Sequence, residues 1–245
     1  MSNIPNKLTP QEYASKMYEM LKPSGWHNVL KGFLLSEDFV HIIKVLENCV
    51  AEDLRFTPPL KQVFRAFMEC PYDTTNVIIV GQDPYPQLGV ADGIAFSCGN
   101  TKKPEASLRY IFKEVNKIVY NNEKDIATFD PDLSRWSKQG ILMLNTSLTT
   151  EIGKIGKHIP IWDPFNKYLI DMLNANDKEY IWVLMGKQAQ QNEDLIDNIL
   201  NNTQILKCSH PASAAYQKSA EWNSNNIFNQ VNDALKAANK PKIVW

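Results

Sequence analysis

The chain predicts an α/β fold, a three-layer sandwich in which a central, mainly parallel four-stranded sheet lies between helices. Three observations carry that expectation. Four short strand-like runs occupy residues 77–80, 140–145, 180–185 and 204–210, the last ending on His210, and the first three carry continuous apolar stretches, as in a sheet buried on both faces. Segments with helical apolar periodicity precede, separate and follow them. The runs lead in turn to Asp83, Asn145, Gly186-Lys187 and His210, which a parallel sheet would gather along one edge.

In chain order, residues 1–25 are polar with a short helical patch at 13–21, and read as a surface arm. Phe39, Ile42, Ile43 and Leu46 are spaced i, i+3, i+4, i+7, the stripe of a helix. The Phe56-Thr-Pro-Pro59 stretch breaks it. Leu60, Val63, Phe64 and Phe67 predict another helix, ended by Cys70-Pro71. After the first strand Gly81 permits a sharp turn, and Pro84 forces Asp83 out of helical geometry. Asp83 there either caps the turn or presents its carboxylate at a rigid corner. A long loop with glycines at 89, 93 and 99 carries Ile94-Ala-Phe96-Ser97, and such loops are more often functional than idle.

Pro104 and Ser107 introduce a helix with Leu108, Ile111, Phe112, Val115, Ile118 and Val119 on one face. Ser107 stands where free backbone N–H groups favour an anion, or where a hydroxyl simply caps the helix. Asn145 marks the exit of the second strand. Phe165, Tyr168, Leu169, Met172 and Leu173 predict the next helix, and residues 227–237 a closing one. No internal repeat interrupts this order, so residues 1–245 read as a single domain.

At 245 residues and 28.0 kDa the chain can bury a large core unaided. Its 26 basic and 27 acidic residues leave a net charge of -1, so no global basic field exists. A protein that coats DNA is thereby disfavoured, and any nucleic-acid contact has to come from local geometry. No apolar run is long enough to span a bilayer, and the N-terminus lacks a signal-peptide core. A monomer that does not engage membranes is expected in the cytoplasm, with nuclear access in a eukaryotic or viral setting. Cys49, Cys70, Cys98 and Cys208 form no C-x-x-C pair, and no two histidines are close in sequence. Neither metal nor any other cofactor is expected.

The chemistry then rests on a few residue types. There is no Gly-rich phosphate loop and no G-x-S-x-G elbow, so NTPase and serine hydrolase readings lack support. Asn145 offers an acceptor and two donors suited to an amide-like edge. Phe96 offers a stacking face, Asp83 a charge to steady a cation or orient water, and His210 a hydrogen bond for a developing anion. Together they describe cleavage of a bond to a heterocyclic base.

Gly81-Gln-Asp-Pro-Tyr85, Ala91-Asp-Gly-Ile-Ala-Phe96-Ser97, Leu144-Asn-Thr-Ser-Leu-Thr149 and Ser209-His-Pro211 resemble, in the same order, the motifs of family 1 uracil-DNA glycosylases. The resemblance runs from about Trp26 to Trp245. It implies excision of uracil from single- and double-stranded DNA after the base is flipped out, and a possible proteinaceous inhibitor as partner. It also implies that Asp83 orients water and stabilises the sugar cation, and that His210 stabilises the departing uracil anion. Asn145 would read uracil O4 and N3–H, Tyr85 would exclude thymine's methyl, Phe96 would stack on the base, and the Gln82 backbone would add hydrogen bonds.

The DNA grip departs from the family. Pro86 replaces the usual His. The Pro-rich serine loop survives only as Pro104 and Ser107, Gly186-Lys187 stands for the Gly-Ser loop, and Ser209-His210-Pro211 leads into Ala212-Ser213-Ala214 instead of the usual leucine wedge. Pro104, Ser107, Gly186, Lys187, Ser209, Pro211, Ala214 and Tyr216 are therefore the candidate DNA contacts. Tyr216 is the alternative wedge, and Lys187 and Lys218 could offset lost phosphate contacts. A preference for single strands follows from the short side chain at 214. His158 receives no role. Two competing readings are a replication accessory protein on the same fold, with secondary excision, and an iron–sulfur glycosylase, which the cysteine spacing disfavours.

Overall fold

The computed structural model describes residues 8–196, 203–217, 219 and 221–245, with backbone alone at 215 and 216. Lys218 and the ring of Tyr216 thus lie outside the described residues. The chain runs through α1 (Pro10–Leu21), α2 (Trp26–Leu34), α3 (Glu37–Ala51), β1 (Phe56–Thr57), α4 (Arg65–Glu69), β2 (Val77–Gly81), α5 (Ala106–Val119) and α6 (Ser134–Ser137). It continues through β3 (Ile141–Asn145), β4 (Thr150–Glu151), α7 (Ile159–Asn174), β5 (Ile181–Met185), α8 (Lys187–Gln190), β6 (Gln204–Cys208), α9 (Ser213–Tyr216) and α10 (Ile227–Ala237).

The central sheet has the order β3-β2-β5-β6, and every pairing in it is parallel. Apolar runs with no polar alternation make β2 and β5 buried at every residue, which requires helices on both faces. One helical group, α1, α2, α3 and α7, is joined by mutual contacts; α5 and α10 form another, with α10 touching β5 and β6. Because β3 lies on one side of β2 and β5 on the other, the strand order reverses at β2. A crevice opens at the carboxyl ends of its strands there, and Asp83 stands two residues beyond β2.

Three expectations need correction. The supposed surface arm contains α1, whose Ala14, Met17 and Leu21 are buried. Those residues form an apolar stripe in an otherwise polar segment, and a Thr9–Glu12 capping box starts the helix. The helix predicted from Leu60 to Phe67 is divided into a 3₁₀ turn, Leu60–Gln62, and the short α4. The fourth strand ends at Cys208, so His210 lies in the loop beyond it. The small antiparallel pair β1–β4 was not anticipated.

Candidate active site

A cavity of about 340 Å³ opens at the sheet edge, lined among others by Gln82, Asp83, Tyr85, Phe96, Ser107, Asn145 and His210. Its floor is the β2–β3 register, where Gly81 pairs with Asn145. A β-carbon on Gly81 would lie 2.7 Å from Asn145 Oδ1 and 2.9 Å from the Phe96 ring. Glycine is required here because the Asn145 amide and the Phe96 ring both close on that backbone. Beyond it, Thr146 Oγ1 donates to the Gln82 carbonyl at 2.6 Å and Ser147 N at 3.1 Å. These two bonds lock the exits of β2 and β3 together just where Asp83 follows.

Asp83 Oδ2 accepts a hydrogen bond from Gly156 N at 2.5 Å. Burial raises the carboxyl above its ordinary value of 3.8, while hydrogen bonds from Gly156, Thr150 and Gln82 oppose that shift. The loop that brings Gly156 is tied back by Gly153 N, which donates to the Pro86 carbonyl at 3.0 Å. The Gly156 N–H is a partner of Asp83 that the sequence reading missed. The only signal was a pair of glycines, 153 and 156, between β4 and α7, and a backbone donor has no side-chain signature. The same loop sets Ile155, 61% exposed, among the cavity-lining residues.

Across the cavity, Tyr85 donates its hydroxyl to the Phe96 carbonyl at 3.1 Å. Burial pushes the Tyr85 phenol upward, so it remains a donor. Phe96 is buried, and its ring centroid is 5.7 Å from that of His210. His210 Nδ1 accepts from Ala212 N at 3.2 Å. A backbone N–H can only donate, so the imidazole proton belongs on Nε2. Burial lowers the imidazole from 6.5 to about 4, so the ring is neutral near neutral pH and presents one N–H donor.

The remaining candidate residues divide. Ser107 lines the cavity but is not the helix cap, since Glu105 occupies that position without a side-chain bond. Gly186 is buried beside His210, and Lys187 is an exposed first residue of α8. Ser209 is exposed, its Oγ accepting from Trp222 Nε1 at 3.0 Å. Pro104 is half-buried. Pro211 and Ala214 are buried, which corrects their assignment as DNA-contacting side chains: the turn after His210 folds both inward. His158 is also buried, with Nδ1 2.9 Å from Thr149 Oγ1, which accepts from Trp162 Nε1 at 2.8 Å.

A carboxylate, an amide, an aromatic ring and a neutral imidazole around one cavity of an α/β fold are the groups an enzyme acting on a heterocyclic base would use. Residues 67–236 match the model of the uracil DNA glycosylase superfamily. A uracil-DNA glycosylase of Fusobacterium nucleatum is 33% identical over 228 residues, covering 91% of this chain and 95% of the relative. One from Dichelobacter nodosus is 34% identical over 223 residues, covering 90% and 93%. The chain belongs to the uracil-DNA glycosylase superfamily. The crystal structure of mimivirus uracil-DNA glycosylase shares the fold, with a TM-score of 0.79 at 24% identity over 93% of this chain and 88% of that one. A mimivirus UNG variant in complex with UGI, 25% identical, covers 93% of this chain and 90% of its own at the same TM-score of 0.79.

Proposed function

We infer that this chain is a monofunctional uracil-DNA glycosylase that hydrolyses the N-glycosidic bond of uracil in DNA and leaves an abasic site. The observation that carries the reading is the meeting of Asp83, Phe96, Asn145 and a neutral His210 on one cavity. The target base has to leave the helix to reach that cavity, at a cost of a few kcal/mol in unstacking. Phe96 then takes one face of the ring and Asn145 its amide edge, an edge that cytosine presents with opposite polarity. As the bond to the sugar breaks, uracil departs as an anion and His210 Nε2–H stabilises its O2 without transferring the proton. The Asp83 carboxylate steadies the cationic sugar and orients the water that attacks it, the proton that water loses passing to the carboxylate or to solvent.

The other assignments rest on less. Lys187 is available to a phosphate, and free thiols at all four cysteines support an intracellular setting. Similarity to the UGI-bound mimivirus variant supports inhibition of this chain by UGI. The test uses uracil-containing single-stranded and duplex oligonucleotides, followed by alkali. Strand cleavage at uracil that UGI suppresses is expected; intact strands after prolonged incubation would refute the reading.

A further inference from the structure

Phe96 adopts a conformation its residue type disfavours. Its φ is +63°, in the left-handed region where a β-carbon crowds the neighbouring backbone. The loop must therefore be held in place, and a buried charged cluster surrounds it. Asp92 is 0% exposed. Its Oδ1 accepts from Ile94 N at 3.1 Å, and its Oδ2 from Ser97 Oγ at 2.6 Å and Gly99 N at 2.8 Å. Those donors bracket Phe96, one lying before it and two after. Arg65 Nη1 forms an ion pair with the same Oδ2 at 2.7 Å.

Arg65 is itself fixed. Its Nη2 donates to both oxygens of Asp132 at 2.9 and 3.0 Å, and its Nε to Glu69 at 3.4 Å. Ala66 N, next to it on α4, donates to the Gly93 carbonyl at 3.2 Å. The guanidinium thus joins α4, the 92–99 loop and the segment before α6. Burying a carboxylate is costly unless it is paired and hydrogen-bonded, and Asp92 has both a cation in Arg65 and three donors from the loop.

We propose that Arg65 and Asp92 are positioning residues for base recognition: their buried ion pair sets the strained turn that aims the Phe96 ring at the uracil. The proposal rests on the uracil reading above. Removing Arg65 would leave the Asp92 carboxylate buried without its cation, so that the carboxylate would draw away from the loop. One of the bracketing donors would then lose its acceptor, and Phe96 would relax toward negative φ, carrying its ring away from the cavity.

The experiment compares Arg65→Lys, Arg65→Met, Asp92→Asn, Phe96→Leu and the Arg65→Met/Phe96→Leu pair. Four quantities are read on folded protein: inhibition of excision by free uracil, kcat and KM on a single-stranded uracil oligonucleotide, and the NMR signals of the labelled Phe96 ring. Arg65→Met should weaken uracil inhibition by roughly tenfold. Arg65→Lys, which keeps the charge but not the planar fork, should restore part of it. In the Phe96→Leu background Arg65→Met should add nothing, because both changes act through one ring. Unchanged uracil inhibition in Arg65→Met, or equal losses in both backgrounds, would overturn the proposal, since a scaffold role lowers only stability. Should Arg65→Met and Asp92→Asn not fold, Arg65→Lys still decides through the Phe96 ring signals and uracil inhibition. A wild-type protein without excision activity would sink the functional reading instead; the Phe96 signals would then decide the clamp, shifted by Arg65→Met or left in place.

Discussion

A β-carbon added to Gly186 would lie 2.8 Å from the Cβ of His210, closer than two such carbons can approach. Gly186 also holds φ at +93°, which a side chain would strain independently. The end of β5 therefore fixes where the imidazole stands, although the two residues are far apart in sequence. Gly186→Ala should displace His210 and lower kcat by about 10²-fold, the cost of misplacing a reacting group by about 1 Å. Single-turnover excision assays would check this; activity within twofold or so of wild type would show that His210 is not held through Gly186.

The neutral state of His210 carries a pH prediction. The folded ring takes up its proton only near pH 4, whereas in the unfolded chain it does so near 6.5. Between those values the unfolded state binds more protons, so this group makes the fold less stable as pH falls from 6.5 toward about 4, and adds no slope below that. Nitrogen NMR should show Nε2–H and a bare Nδ1 throughout neutral pH. His210→Leu should remove the anion's donor and lower kcat by about 10²–10³-fold. A ring that titrates near 6.5 would contradict the assigned role.

How far the sequence could be read follows from where each signal resides. β2 was legible because four consecutive apolar residues have one plausible home, a buried strand, and the turn to Asp83 is written in Gly81 and Pro84. Asn145 and His210 were placed by the sheet's parallel order and by motif. α1 was hidden because only three buried residues interrupt a polar segment. Gly156 acts through a backbone N–H, and Arg65 and Asp92 meet across 27 residues of chain, so neither had a local pattern. Ala214 was misplaced because its burial depends on how the turn after His210 folds, which no short-range periodicity reports.

Asp83→Asn tests the charge rather than the shape of the site. The amide can still accept from Gly156 N, so the loop geometry should survive, but no counter-charge would face the sugar cation. Binding to uracil-containing DNA, read by fluorescence anisotropy, should remain close to wild type while turnover falls by orders of magnitude. Because burial raises the Asp83 carboxyl, wild-type excision should also decline on the acid side above the pH at which an ordinary aspartate would protonate. An Asp83→Asn enzyme with near-native turnover would exclude Asp83 from the chemical step.

On the proposed reading, Asn145 and Tyr85, which both line the cavity, set specificity. Asn145→Asp should admit cytosine, whose exocyclic amine donates where uracil accepts. Tyr85→Ala should admit thymine by clearing space for the methyl group. It should also weaken uracil excision, because the Tyr85 hydroxyl no longer holds the Phe96 carbonyl. Excision assays on oligonucleotides containing each base would decide both. No gain on either normal base would mean that other residues set the edges of the cavity.

Ala214 invites a substitution whose outcome the structure reverses. From sequence, Ala214→Leu restores the family's missing wedge and should favour duplex substrates. In the fold, Ala214 is 3% exposed, in the short α9 immediately beyond the His210 turn. Three extra carbons there have no open space and would have to push neighbouring atoms aside, a cost of about 1–3 kcal/mol in a packed interior. The turn that carries Ala212 N to His210 Nδ1 is the nearest part able to yield. Ala214→Leu should therefore lower the thermal midpoint and reduce excision on single strands and duplexes alike, through a displaced imidazole. Paired measurements of melting temperature and kcat on the two substrates distinguish these outcomes. A stable variant with a selectively increased duplex rate would show that position 214 turns outward on DNA after all.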